Sequence, residues 1–240
     1  MKGIVTIHQP NYLPWTGLFS KVAQTECFII ADTFQFEPIV KRNKIRTPGG
    51  PAYLTVPAGS HFTNVRIKDV PLPEDRRWQR EHWRAIFHHY QKAPFFAEHR
   101  PFFEELYRRE YRYLWQINLE IIRYLLKCFN IRVEVIRASE LELDPNLRHT
   151  DALIDMLKAV GARVYLSGPS GKGYLEYEKF PQSGIELKFF RFEHPVYEQR
   201  YPGFVPNLAA IDLLFNVGPG SRELVRNAGG IEDPADISVP

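Results

Sequence analysis

The first thirty residues constrain the fold more than any other part of the chain. Residues 3–7, Gly-Ile-Val-Thr-Ile, form a short apolar run that reads as a buried strand. It passes directly into a polar loop pinned by proline, His8-Gln9-Pro10-Asn11-Tyr12-Leu13-Pro14-Trp15. A helix from about Thr16 carries Leu18, Phe19, Val22 and Ala23 at helical spacing. A second apolar strand, residues 27–31, ends in Asp32. Strand, loop, helix and strand in so short a span read as a parallel crossover, right-handed by rule. The expected fold class is α/β and Rossmann-like, a mainly parallel sheet with a helical insertion.

The rhythm then breaks and resumes. Lys41 to Arg46 is a basic run, and the turn Thr47-Pro48-Gly49-Gly50-Pro51 leads to a strand over 52–57, which suggests a small hairpin. Residues 65–67 read as a further short strand. From Pro73 to about Asn130 the pattern is helical. Trp78, His82, Ile86 and Tyr90 share one face, Pro94 breaks the pattern, and Pro101 is read as a first-turn proline. Strands follow at 132–138, 163–166 and 186–192. Helices are expected at 152–160, with Thr150 as cap and Gly161 as stop, and at 208–217. The expected division is an α/β core over 1–40 and 131–228, a small β/loop insertion over 41–72 and a helical insertion over 73–130. A Gly-, Pro- and Asp-rich tail over 229–240 is expected to be poorly ordered. The alternative is one continuous domain whose helices cover one face of the sheet.

Composition narrows the function. Hydrophobic residues make up 44% of the 240 positions, enough for a sizeable core. The 31 basic and 28 acidic residues leave a net charge of only +3, too balanced for a nucleic-acid partner. Cys27 and Cys128 lie in apolar segments and read as ordinary buried thiols, not a disulfide or metal pair. The opening lacks the long apolar run of a signal peptide, and no stretch has the length of a membrane span. A cytoplasmic location is expected.

In open α/β sheets, ligands bind beyond the carboxyl ends of the strands. His8, Gln9 and Asn11 occupy such a position: His8 is a candidate acid or base, with the two amides orienting a ligand. The plainer reading is a rigid loop whose polar groups satisfy turn backbone. Asp32 and Gln35 end the second strand, and Asp32 could hold an amine or hydroxyl, act as a base, or bond nearby backbone. Arg42 and Asn43 are candidates for an anion within a run that otherwise reads as a solvated face. Residues 167–174 form a glycine-rich loop, in which Ser167, Gly168, Ser170, Gly171 and Tyr174 are candidates for holding phosphate. It is neither a Walker A loop nor a dinucleotide fingerprint. Gln199 and Asp212 are secondary candidates. The histidines at 82, 88, 89, 99, 149 and 194 have no metal-site spacing, so no metal is expected. No Gly-x-Ser-x-Gly elbow is present.

These residues together resemble a known family. The octet His8 to Trp15 resembles the N-terminal motif of the WbqC-like family of bacterial proteins. Further matches are Asp32-Thr33-Phe34-Gln35-Phe36, Arg42-Asn43-Lys44-Ile45, Tyr165-Leu166-Ser167-Gly168-Pro169 and Gly173-Tyr174-Leu175. His194 to Gln199 and Ile211 to Asn216 complete the set. Two positions depart from the pattern: Ala31 stands where a second acidic residue is expected, and Ala209 where serine is expected. The family is associated with surface-polysaccharide (O-antigen type) gene clusters. The resemblance therefore implies an enzyme acting near nucleotide-sugar modification, transferring an acyl or amino-acyl group to an amino sugar. It implies a small nucleotide or nucleotide-sugar ligand, and names neither a cofactor nor an oligomeric state. The layout is also similar to adenylate-forming nucleotidyl transferases, with Pro10, Gly17 and Gln35-Phe36 matching, but Trp15 and Leu18 stand where that signature has histidines. An ATP-dependent ligase is thus a reading by fold analogy. The alternative to an enzyme is a scaffold of a glycan pathway with the aromatic helices as its contact surface. The enzyme reading requires His8, Asp32 and Ser167 to share one pocket.

Overall fold

The computed structural model describes residues 2–58 and 64–234. Strand β1 (Lys2–His8), helix α1 (Thr16–Val22) and strand β2 (Cys27–Ile30) form the expected opening unit, and β1 and β2 pair in parallel. Next come the hairpin β3 (Arg42–Thr47) and β4 (Gly50–Thr55), then helices α2 (Arg77–Tyr90), α3 (Phe96–Arg108) and α4 (Leu114–Cys128). The alternation resumes with β5 (Glu134–Arg137), α5 (His149–Ala159), β6 (Ala162–Ser167), α6 (Lys179–Gln182) and β7 (Glu186–Phe192). Helices α7 (Ala210–Val217) and α8 (Ser221–Arg226) and strand β8 (Gly229–Glu232) close the described chain. One six-stranded sheet has the order β5-β2-β1-β6-β7-β8, parallel throughout except for β8 against β7. The fold is α/β and Rossmann-like. Among the described residues no helix is long and apolar enough to cross a membrane.

Both faces of the sheet are covered, which is why its inner strands are apolar without alternation. Every residue of β2 is buried. Phe28 and Ile30 join Leu18 and Phe19 of α1 in one cluster, and Cys27 and Ile29 join Leu153 and Leu157 of α5 in the other. The first cluster continues without a break through Ile45 of the hairpin into α2, α4 and α7. Trp78, His82, Ile86 and Tyr90 form the buried stripe of α2, as their spacing predicts.

Several boundaries differ from expectation. The basic run is largely strand β3, paired antiparallel with β4, and its consecutive residues Ile45 and Arg46 are both buried, so the run is not a fully solvated face. Pro101 lies inside α3 rather than in its first turn, since the helix begins at Phe96. Thr150 does not cap α5. The helix starts one residue earlier, and the Thr150 hydroxyl accepts the Glu176 N–H at 3.2 Å. The tail is ordered at its start: β8 pairs with β7, and Glu232 meets the Arg191 guanidinium at 2.7 Å. The rest of the tail, from residue 235, lies outside the described residues.

Two buried carboxylates tie elements together. Asp32 is fully buried and its carboxylate accepts four hydrogen bonds. Arg137 donates at 2.9 and 2.6 Å, and Ser139 donates through its hydroxyl at 2.7 Å and its backbone N–H at 2.9 Å. Asp212 accepts the hydroxyls of Tyr90 and Tyr197, both at 2.8 Å. Removing one partner of a buried pair leaves the other charge without compensation, at about 3–5 kcal/mol. Asp32→Ala is therefore expected to lower unfolding stability in urea by that amount. A loss below about 1 kcal/mol, the range of exposed ion pairs, would show that the Asp32 cluster does not hold β2 to β5.

Candidate functional site

The strand order fixes where a ligand can enter. From β1 the chain winds outward through β2 to β5, then returns to the other side of β1 as β6 and β7. The order thus reverses between β1 and β6, and the crevice beyond their carboxyl ends is the binding position of such folds. A cleft of about 1650 Å³ opens there. Its lining includes His8, the last residue of β1, and Ser167, the last residue of β6. Ligand pockets commonly span about 300–1,000 Å³, so the cleft has room for a ligand with several linked parts.

Most of the candidate residues meet in this cleft. Gln9 and Asn11 reach it from the loop after β1, Gln35 from the loop after β2, and Arg42 and Asn43 from β3. Gly168, Ser170, Gly171 and Tyr174 line it from the loop after β6. Three candidates do not line it. Asp32 sits behind the wall, with its partner Ser139 and its neighbour Ala31 on the surface of the cleft. Of the three residues that the enzyme reading requires in one pocket, His8 and Ser167 therefore converge and Asp32 does not. Gln199 binds the backbone of Val205 through both ends of its amide, each at 2.9 Å, and Asp212 lies in its tyrosine cluster.

The loop after β1 is held from several sides. Asn118 of α4 donates to the carbonyls of Pro10, at 2.6 Å, and Val40, at 3.0 Å. Asn43 donates to the Leu13 carbonyl at 2.5 Å, so its amide serves the loop backbone. Ala210 N–H reaches the Pro14 carbonyl at 2.8 Å. Leu13 is held at φ 44°, a left-handed conformation that bulky side chains avoid without such support. Trp15 lies against the start of α1, and a Cβ on Gly17 would come within 2.4 Å of its ring, so only glycine fits there. The loop after β6 is a short 3-10 turn, Pro169–Gly173, that spends the N–H groups of Gly171, Tyr174 and Leu175 on itself. Gly171 is packed so closely that a Cβ would meet the Ser167 hydroxyl at 2.2 Å.

The floor of the cleft has an unusual charge. Lys21, on the last turn of α1, is 4% exposed and lines the cleft. Its ammonium has one long contact, to the Ile7 carbonyl at 3.4 Å, and among the described residues no carboxylate pairs with it. Burial lowers its pKa from 10.5 to about 7. Burial, and then repulsion from Lys21, lowers that of His8 from 6.5 to about 4, opposed by its bond to the Gln9 carbonyl. Neutral His8 uses Nδ1–H to donate to that carbonyl at 2.9 Å, which leaves Nε2 with its lone pair. Asn11 is 8% exposed and lines the same cleft, and its buried Oδ1 has no hydrogen-bond partner. The floor thus brings together an imidazole with Nε2 unprotonated, a buried amide oxygen without a partner and one basic amine. Sequence reasoning missed Lys21, although it is the only charge on a seven-residue helix with every residue buried.

A buried lysine of this kind destabilises the fold when charged. Its folded pKa lies below its unfolded one, so stability is present above about pH 10.5 and is lost as pH falls toward 7. Relative to Lys21→Met, the wild type is expected to lose on the order of 3 kcal/mol between about pH 10 and about pH 7. Urea unfolding of both proteins checks this. Parallel pH profiles would mean that Lys21 keeps its ordinary proton affinity.

Comparison with known proteins agrees with the resemblance carried by the motifs. The uncharacterized protein Rv1507c of Mycobacterium tuberculosis is 30% identical to this chain over 229 residues, 92% of this chain and 97% of that protein. The sequence profile of the WbqC-like protein family matches residues 9–224, from the loop that opens the cleft to α8. A match over so much of the chain assigns the protein to a family: it belongs to the WbqC-like protein family.

Proposed function

We propose that the cleft transfers an acyl or amino-acyl group to the amine of a nucleotide-linked amino sugar, in surface-polysaccharide synthesis of the O-antigen type. The observation that carries this reading is the trio on the floor: an uncharged histidine with Nε2 free, an orphaned amide oxygen, and a lysine without an acid partner. Acyl transfer to an amine needs these three properties. The amine needs acceptors that hold its hydrogens, and one of them must take a proton. The carbonyl oxygen needs a positive group as it gains charge.

In this reading Asn11 Oδ1 and His8 Nε2 hold the amine, and His8 takes its proton as nitrogen attacks the acyl carbon. Lys21 meets the oxygen of the tetrahedral intermediate. Collapse expels the leaving group, which receives the proton from His8. Asp32 is a positioning residue through Ser139 and Arg137, because its carboxylate is already committed. The scaffold reading has less support, since Trp78, Tyr90, Phe96, Phe103 and Tyr107 of the aromatic helices are buried in the chain's own core.

The test is transfer followed by mass spectrometry with nucleotide-linked amino sugars and a panel of acyl donors. His8→Ala is expected to lower kcat by about 10²- to 10⁴-fold without changing the melting temperature; a wild-type rate in that variant would refute the role of His8. The pH profile of kcat/KM is expected to rise through about 4 as His8 loses its proton and to fall through about 7 as Lys21 does. Lys21→Met should remove the alkaline limb. A limb that persists in this variant belongs to another group.

A further inference from the structure

The mouth of the cleft carries side chains whose positions core packing does not explain. Ile39 is 57% exposed, Tyr53 54% and Tyr174 59%, and all three line the cleft. An aromatic ring left in water on a cavity wall forgoes the burial that would stabilise the fold. Arg42 lies over one of these rings, its guanidinium carbon 3.8 Å from the Tyr53 centroid. Lys44, Arg66 and Lys68 line the same cleft. Lys68 reaches Asp69 at 3.8 Å, whereas Arg42, Lys44 and Arg66 have no carboxylate partner among the described residues.

Rings and unpaired cations side by side suit a particular ligand chemistry. A free sugar needs no cluster of cations, and an inorganic anion needs no ring. A planar base joined to phosphates uses both: bases stack on aromatic faces, and arginine grips phosphate in a two-point fork. The volume agrees, since the cleft exceeds what a base alone would fill.

We propose that the mouth of the cleft is a nucleoside-diphosphate subsite. Tyr174 is the platform for the base, and Arg42, braced by Tyr53, holds the phosphates. The sugar is then directed inward, toward His8 and Asn11. This orientation rests on the acyl-transfer reading; the subsite itself rests on the rings and cations at the mouth. The loop after β6 contributes to nucleotide binding through an exposed side chain at its end, and the N–H groups of Gly171, Tyr174 and Leu175 stay within the turn.

Titration calorimetry on the full chain tests the proposal, with UDP, ADP, inorganic diphosphate and glucosamine as probes. UDP and ADP are expected to bind more tightly than inorganic diphosphate, and glucosamine more weakly than any of them. Tyr174→Ala should weaken UDP and ADP by about 10- to 100-fold and leave inorganic diphosphate unchanged. Arg42→Lys keeps the charge but loses the fork, and should weaken all three phosphate compounds. The proposal is overturned if the nucleotides bind no tighter than inorganic diphosphate, or if Tyr174→Ala leaves their affinity unchanged. The acyl-transfer assay separates this outcome from failure of the chemistry. Transfer to free and nucleotide-linked amino sugars at equal kcat/KM keeps the chemistry and removes the subsite. Nucleotide binding through Tyr174 without any transfer does the reverse.

Discussion

The structure depends on how the carbonyl groups of one short loop are satisfied. The segment from Pro10 to Pro14 follows β1 at the point where the sheet order reverses, and it cannot bond to a neighbouring strand there. Its carbonyls are met by Asn118 from α4, Asn43 from β3 and the Ala210 N–H from α7. These partners lie 30 to 196 positions away in sequence. The hairpin and the helices that read as insertions into an α/β chain are thus the supports of the loop that lines its cleft. Buried backbone groups must be paired, and here the pairing sets the direction in which His8 and Asn11 face.

The same arrangement accounts for the electrostatics of the floor. The loop and α1 close over Lys21, so burial alone brings its amine close to neutral at physiological pH. Repulsion from Lys21 then adds to burial at His8. The two groups are coupled in a useful direction. A negative charge on a ligand would favour the proton on Lys21, and a charged Lys21 in turn opposes charging of His8. Between about 4 and about 7 such a site holds a neutral imidazole and a charged amine together without a carboxylate paired to the amine.

The fold was largely legible in the sequence because apolar periodicity reports burial directly. Residues 186–192 were assigned as a strand with the bounds that the structure gives, and the stripe from Trp78 to Tyr90 was read at its helical spacing. What local reading could not supply was the partner of each polar group. Asp32 had the placement expected of a catalytic carboxylate, at a strand end beside the loop, but Arg137 and Ser139, more than a hundred residues later, use all of it. Asn43 likewise looked like an anion contact and is spent on Leu13. Lys21 was missed for the opposite reason: nothing local to a single lysine on an apolar helix shows that its ammonium is enclosed, and only the packed structure does.

The contrast between Asp32 and Lys21 also bears on the proposed chemistry of the cleft. Ala31 stands where the family pattern suggests an acid, and it lines the cleft. A carboxylate there would face the same cavity as Lys21 and would favour its charged form. With alanine at that position, Asp32 stays in its own cluster with Arg137 and Ser139, and no carboxylate among the described residues pairs with the Lys21 amine. Under the proposed transfer, an amine without a counterion suits substrates that bring their own negative charge, and a step in which that charge grows on oxygen while a proton leaves nitrogen.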